Sequence, residues 1–245
     1  MLKKRIIIVL TFNNGVLFRT KNFKPDYRYT KNFIDLWSID EIILIDVSKK
    51  KDHKKFLNII NFFKENCFVP ITVGGGVKDM KYADNIFKNG SEKILLGSDS
   101  LNNKNLIKEI SEKYGSQALV QSVDIKKINR HYVVMKNSGT IATDYNLIKI
   151  IKSFIKFGAG EILINNIDND GGLLGYDLKL IKKISKEIDS PLLALGGAGN
   201  WHHLLELFKK TKISAACTQN IYHFTEESVN SAKRFLLSNK INIRK

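Results

Sequence analysis

A chain of 245 residues that is 43% hydrophobic can bury a sizeable core, and no apolar run reaches the ~18 residues that a membrane helix needs. Against 24 Asp+Glu stand 40 Lys+Arg, a net charge of +16. These lysines are scattered over most predicted helices rather than gathered in one arm or stripe, which argues against nucleic acid as a partner but leaves a field that draws in anionic substrates. The two cysteines, Cys67 and Cys217, lack metal-ligand spacing, so no disulfide framework, metal site or cofactor is expected.

In chain order, the basic start followed by an apolar stretch superficially suggests a signal peptide. It is short, lacks a small-residue cleavage site and runs into the turn Asn13-Asn14-Gly15. It reads instead as a first buried strand over 5–10, in a cytoplasmic protein. Further strands are predicted over 41–46, 68–73, 93–96, 118–124, 161–165, 191–195 and 213–217. Helical periodicity marks 52–65, 103–114, 177–188 and 201–210, and Asp79, Asp144, Asn200 and Thr225 are candidate N-caps. Residues 131–143 read as a small hairpin or excursion. Parallel strands need helical crossovers, so this alternation predicts a parallel sheet. About eight such units fit a closed (βα)8 barrel, an α/β fold, with no linker or boundary visible across 1–245.

The chain also repeats itself. The segment 39–46 is echoed by 159–166 at an offset of 120 residues (41 to 161), and Val73-Gly74-Gly75-Gly76-Val77 by Leu195-Gly196-Gly197-Ala198-Gly199 at 122 (73 to 195). Two half-barrels explain both. Each glycine cluster follows a strand and precedes a helix, at the C-terminal mouth, where backbone amides can approach a phosphate. Symmetry then predicts a substrate with a phosphate at each end. Gly97 and Ser98 after the fourth strand, and Thr218, Gln219 and Asn220 after the eighth, could complete the two pockets. Asp170-Gly171-Gly172 reads as a flexible loop over the second. Asp124, closing the fifth strand, is a general acid/base candidate, whereas its symmetry counterpart Thr11 carries a hydroxyl, a poor base. At the opposite strand ends, Arg5, Glu41, Lys93 and Glu161 would form a ring of two positive and two negative charges if all point inward.

As a joint set, these motifs with Lys4-Arg5-Ile6-Ile7, Tyr114-Gly115-Ser116-Gln117-Ala118, Ile167-Asp168-Asn169-Asp170-Gly171, Gly175-Tyr176-Asp177 and His223-Phe224 resemble the cyclase subunit of imidazole glycerol phosphate synthase. The resemblance covers nearly the whole chain. It implies a (βα)8 barrel that uses ammonia from a glutaminase partner to cleave and cyclise a bis-phosphorylated ribulosyl aminoimidazole carboxamide nucleotide. It implies phosphate contacts at Gly76, Gly97 and Ser98 on one side, and at Asp170, Gly171, Gly197, Gln219 and Asn220 on the other. Arg5, Glu41, Lys93 and Glu161 become the gate through which ammonia enters, with the glutaminase docked beneath the N-terminal face. Three features depart from the family pattern: Thr11 stands where an aspartate is usual, Arg19 where a lysine is usual, and the loop 13–30 is short. Such changes look like those of paralogues that supply ammonia to a sugar amidotransferase in surface-polysaccharide biosynthesis.

Overall fold

The computed structural model describes residues 3–29, 39–219 and 229–244. Strand β1 (Arg5–Asn13) is followed by a hairpin, β2 (Val16–Lys21) and β3 (Lys24–Tyr29). Then come β4 (Glu41–Asp46), α1 (His53–Asn66), β5 (Ile71–Gly74), α2 (Met80–Lys88), β6 (Lys93–Leu96) and α3 (Lys104–Tyr114). The second half opens with β7 (Leu119–Ile128), which runs into β8 (His131–Lys136) and β9 (Ile141–Ala142). It continues through α4 (Leu147–Lys156), β10 (Glu161–Asn166), α5 (Leu178–Ser185), β11 (Leu192–Leu195), α6 (Trp201–Lys210), β12 (Ala215–Thr218) and α7 (Val229–Ser238).

Eight strands pair in parallel in the order β1, β4, β5, β6, β7, β10, β11, β12, and β12 pairs back with β1 to close the barrel. All eight predicted barrel strands are present, and most bounds shift by a few residues. The strand predicted over 68–73 begins only at Ile71, because Pro70 lies just before it with no backbone N–H to give the ladder. The predicted helix 201–210 has the observed bounds of α6.

The two-residue period of the strands sorts their side chains into two cores. Ile6, Ile8, Leu10 and Phe12 face the helices, where the Phe12 ring meets Phe56 and Phe63 edge-on at 6.1 and 6.2 Å. Ile7, Val9, Ile43, Leu95, Val120, Leu163, Leu193 and Cys217 fill the barrel interior. Five of the helices start where a side chain satisfies a first amide: Asp52, Asp79, Asn146, Asp177 and Asn200 each accept from the backbone N–H three residues on, worth about 1 kcal/mol apiece. Asn146 rather than Asp144 caps α4, so that expectation is corrected by two residues. Thr225 lies outside the described residues.

Residues 131–143 do form an antiparallel excursion on the end of β7. The stretch after β1, expected as a loop, is a second antiparallel excursion joined to the barrel through Thr11↔Phe18. Its turns are Asn14-Gly15 and Asn22-Phe23, all four residues at positive φ, the backbone a two-residue hairpin with right-handed twist demands.

Candidate active site

The N-terminal end of the barrel is closed by a ring of ion pairs. Arg5 donates to Glu41 at 2.7 Å and to Glu161 at 2.9 Å, while the Lys93 Nζ lies 3.1 Å from Glu41 and 3.2 Å from Glu161. Each cation touches both anions, so the four side chains make a closed cycle on β1, β4, β6 and β10. All are 15% exposed or less. Burial alone would lower the Arg5 pKa, but the Glu161 and Glu41 carboxylates outweigh it and hold Arg5 above its usual range. Burial would likewise raise Glu41; Arg5 and Lys93 outweigh that and hold it below the ordinary carboxylate range. Arg244, near the chain's end, approaches Glu41 at 3.8 Å, a neighbour for which the sequence carries no signal.

Inward-facing positions connect this floor to the opposite mouth. On β10 the column runs Glu161, Leu163, Asn165, and on β7 it runs Val120, Ser122, Asp124, with Asn165 paired to Asp124 in the ladder. The Asn165 amide donates to the Asp124 carboxylate at 3.1 Å. Burial pushes the Asp124 pKa up to about 6, against the opposing hydrogen bonds from Asn165 and Ser122. A carboxylic acid that titrates near neutrality can both give and take a proton at working pH. Asn165 was not singled out from the sequence, although it lies in the repeated segment.

Thr11 lies across the mouth from that pair and is 4% exposed. Its hydroxyl donates to the Phe18 carbonyl at 2.6 Å and accepts from the Gln219 amide at 3.5 Å. The other end of Gln219 accepts from the Thr20 hydroxyl at 2.9 Å. Hairpin, Thr11 and the end of β12 are thereby tied together. Arg19, on the same hairpin, is partly buried.

The two glycine clusters occupy equivalent positions. A Cβ on Gly75 would meet the Asp46 backbone oxygen at 2.1 Å, and one on Gly196 the Asn166 oxygen at 2.5 Å. In each half the cluster packs against the end of the preceding barrel strand so closely that a side chain is excluded. Near the first cluster, Gly97 has open space where a Cβ would stand, and the Ser98 hydroxyl accepts from the Asn137 N–H at 3.2 Å. Over the second, a pocket is lined by Asp170, Gly171, Gly196, Gly197, Thr218 and Gln219. The loop at Asp170, expected to be flexible, is pinned. The Asp170 carboxylate accepts from the Phe23 N–H at 3.0 Å, its carbonyl accepts from Asn22, and the side chain is buried. A Cβ on Gly171 would stand 2.6 Å from the Thr20 oxygen, so only glycine lets the hairpin settle there. Asn220, expected in this pocket, and His223-Phe224 lie outside the described residues.

Among the described residues no group of three or more His, Cys, Asp or Glu side chains could hold a metal ion, and no helix is long and apolar enough to cross a membrane. The family described as "Histidine biosynthesis protein" matches residues 8–228. Similar proteins include the imidazole glycerol phosphate synthase subunit HisF of Chlorobium phaeovibrioides, 35% identical over 254 residues, and that of Bacillus cereus, 34% identical over 251. The subunit HisF of Flavobacterium johnsoniae is 33% identical over 251, and in all three comparisons the whole of both chains is covered. The chain belongs to the histidine biosynthesis protein family.

Proposed function

We propose that this protein is an ammonia-dependent carbon–nitrogen lyase and cyclase of the imidazole glycerol phosphate synthase type, working with a glutaminase docked on its N-terminal face. Its substrate is a bis-phosphorylated ribulosyl aminoimidazole carboxamide nucleotide. Asp124 is the principal acid/base, its pKa of about 6 suiting a group that cycles between both states. Gly76, Gly97 and Ser98 hold one phosphate, and Asp170, Gly171, Gly197, Gln219 and Asn220 the other. Arg5, Glu41, Lys93 and Glu161 are the gate for ammonia. The observation that carries the reading is the stacking, in one barrel, of a closed charged floor beneath a carboxylic acid flanked by two equivalent glycine clusters.

One observation favours a second reading. The Thr11 hydrogen is committed to the Phe18 carbonyl, so the position facing Asp124 supplies neither a base nor a free donor. A barrel with half of its acid/base pair still conducts ammonia, as a subunit feeding a sugar amidotransferase requires. Turnover of the bis-phosphate with ammonium salts separates the two. The first reading expects measurable cyclisation, lost by about 10²-fold or more in Asp124→Asn and increased in Thr11→Asp. Absence of turnover at high enzyme concentration, with a glutaminase still bound and activated, would leave only the second.

A further inference from the structure

Two equivalent loops of the barrel mouth, one in each half, differ in charge. The loop after β4, residues 47–52, contains Lys49, Lys50 and Lys51 in succession; its counterpart after β10, residues 167–177, contains Asp168, Asp170 and Asp177 and no lysine. Lys49 and Lys50 are exposed, but Lys51 folds back onto the barrel. Its Nζ donates to the Asp46 carbonyl at 2.6 Å and lies 3.7 Å from the Asp46 carboxylate, with the side chain only 27% exposed. The other oxygen of that carboxylate accepts from both the N–H and the hydroxyl of Ser48. The Lys51 alkyl chain rests on the first glycine cluster: a Cβ on Gly76 would stand 3.0 Å from its Cε. Lys51 also lies within the electrostatic reach of Asp99, the residue after Ser98, and of Lys78.

An ammonium has three N–H donors, and the Asp46 carbonyl takes one. We infer that Lys51 is a phosphate ligand of the pocket formed by Gly76, Gly97 and Ser98, and that it makes this the stronger of the two anion sites. The inference rests on the reading of both glycine clusters as phosphate sites. A charge-assisted hydrogen bond to a phosphate oxygen is roughly twice as strong as a neutral one. Burial holds the ammonium below the usual lysine range, so the arrival of an anion relieves a cost the free protein bears. The second pocket has no such cation in its loop; it has Asp170, a buried carboxyl. A bis-phosphorylated molecule therefore anchors first by the end that reaches Lys51, which fixes its direction across the mouth.

The test is a titration of the ¹⁵N-labelled full chain with inorganic phosphate, following the Gly97 and Ser98 amides for the first pocket and those of Gly197 and Thr218 for the second. In the unaltered protein both sets shift, the first at lower phosphate. Lys51→Met weakens the first site about tenfold or more and leaves the second unchanged, while Lys51→Arg keeps most of the affinity. If both sites bind but Lys51→Met leaves the first unaltered, or weakens both alike, the role of Lys51 is overturned while the two phosphate sites stand. If phosphate moves neither set in the unaltered protein, the phosphate reading falls and the inference falls with it.

Discussion

Asp124 shows how a single position can be set against stability. Its folded pKa of about 6 lies above its ordinary value of 3.8, because burial disfavours the charged form. The folded protein thus binds this proton more tightly than the unfolded chain, so the charge costs stability at high pH. That cost is complete above about pH 6 and fades as the pH falls toward 4. Asp124→Asn is expected to raise the stability measured by urea unfolding at pH 7.5 by roughly 1–3 kcal/mol. The gain should vanish near pH 3.5; an equal gain at both values would show that the carboxylate is not strained by burial. Thr11, across the mouth, is satisfied from both sides, so Thr11→Asp must break the contact with Phe18 before a carboxylate can act there.

At the level of elements, the β2–β3 hairpin is tied to the barrel mouth through Thr20 and Phe23, and the sequence announces only half of it. Its first turn, Asn14-Gly15, is legible, since Asn-Gly is the strongest short hairpin signal. Its second is Asn22-Phe23, where a phenylalanine sits at φ 65°, a conformation bulky residues rarely adopt. No local propensity announces that turn; contacts with a loop nearly 150 positions away hold it. Asp170→Ala removes the acceptor of the Phe23 N–H and is expected to destabilise the hairpin by about 1–3 kcal/mol. Limited proteolysis should then cut within residues 14–29 faster than in the unaltered protein, while the rest of the barrel stays resistant. Unchanged cleavage would mean that the hairpin is held by other contacts. The helices, by contrast, were readable from periodicity and caps, because their first turns are satisfied within a few residues of chain.

Across the whole molecule, the charged floor is a cycle in which no ion has a single partner. Removing one member leaves like charges facing each other with half their compensation, a situation that costs about 3–5 kcal/mol when buried. Lys93→Met should therefore lower stability by that order in thermal or urea unfolding. It should also uncouple glutamine-driven from ammonium-driven turnover if the ring admits ammonia. A variant in which stability and coupling are both untouched would deny the ring either role. Acid should act on the same structure: Glu41, held below its ordinary value of 4.5, contributes stability above that pH which is lost as the pH falls through its folded value.

The sequence by itself determined the barrel, its half-repeat and the two glycine clusters, and it nominated the four charges of the floor. These follow from the alternation of strands and helices along the chain. That these four point inward and close into a cycle was beyond it, since the contacts among Arg5, Glu41, Lys93 and Glu161 depend on the register of four strands around the ring. So were the tie between Thr20 and Gln219, which joins residues 199 positions apart, and the seating of Lys51 on Gly76. Hydrogen bonds and close approaches between remote segments leave no periodic trace along a chain; only the closed barrel, by bringing all its βα loops to one rim, makes them neighbours.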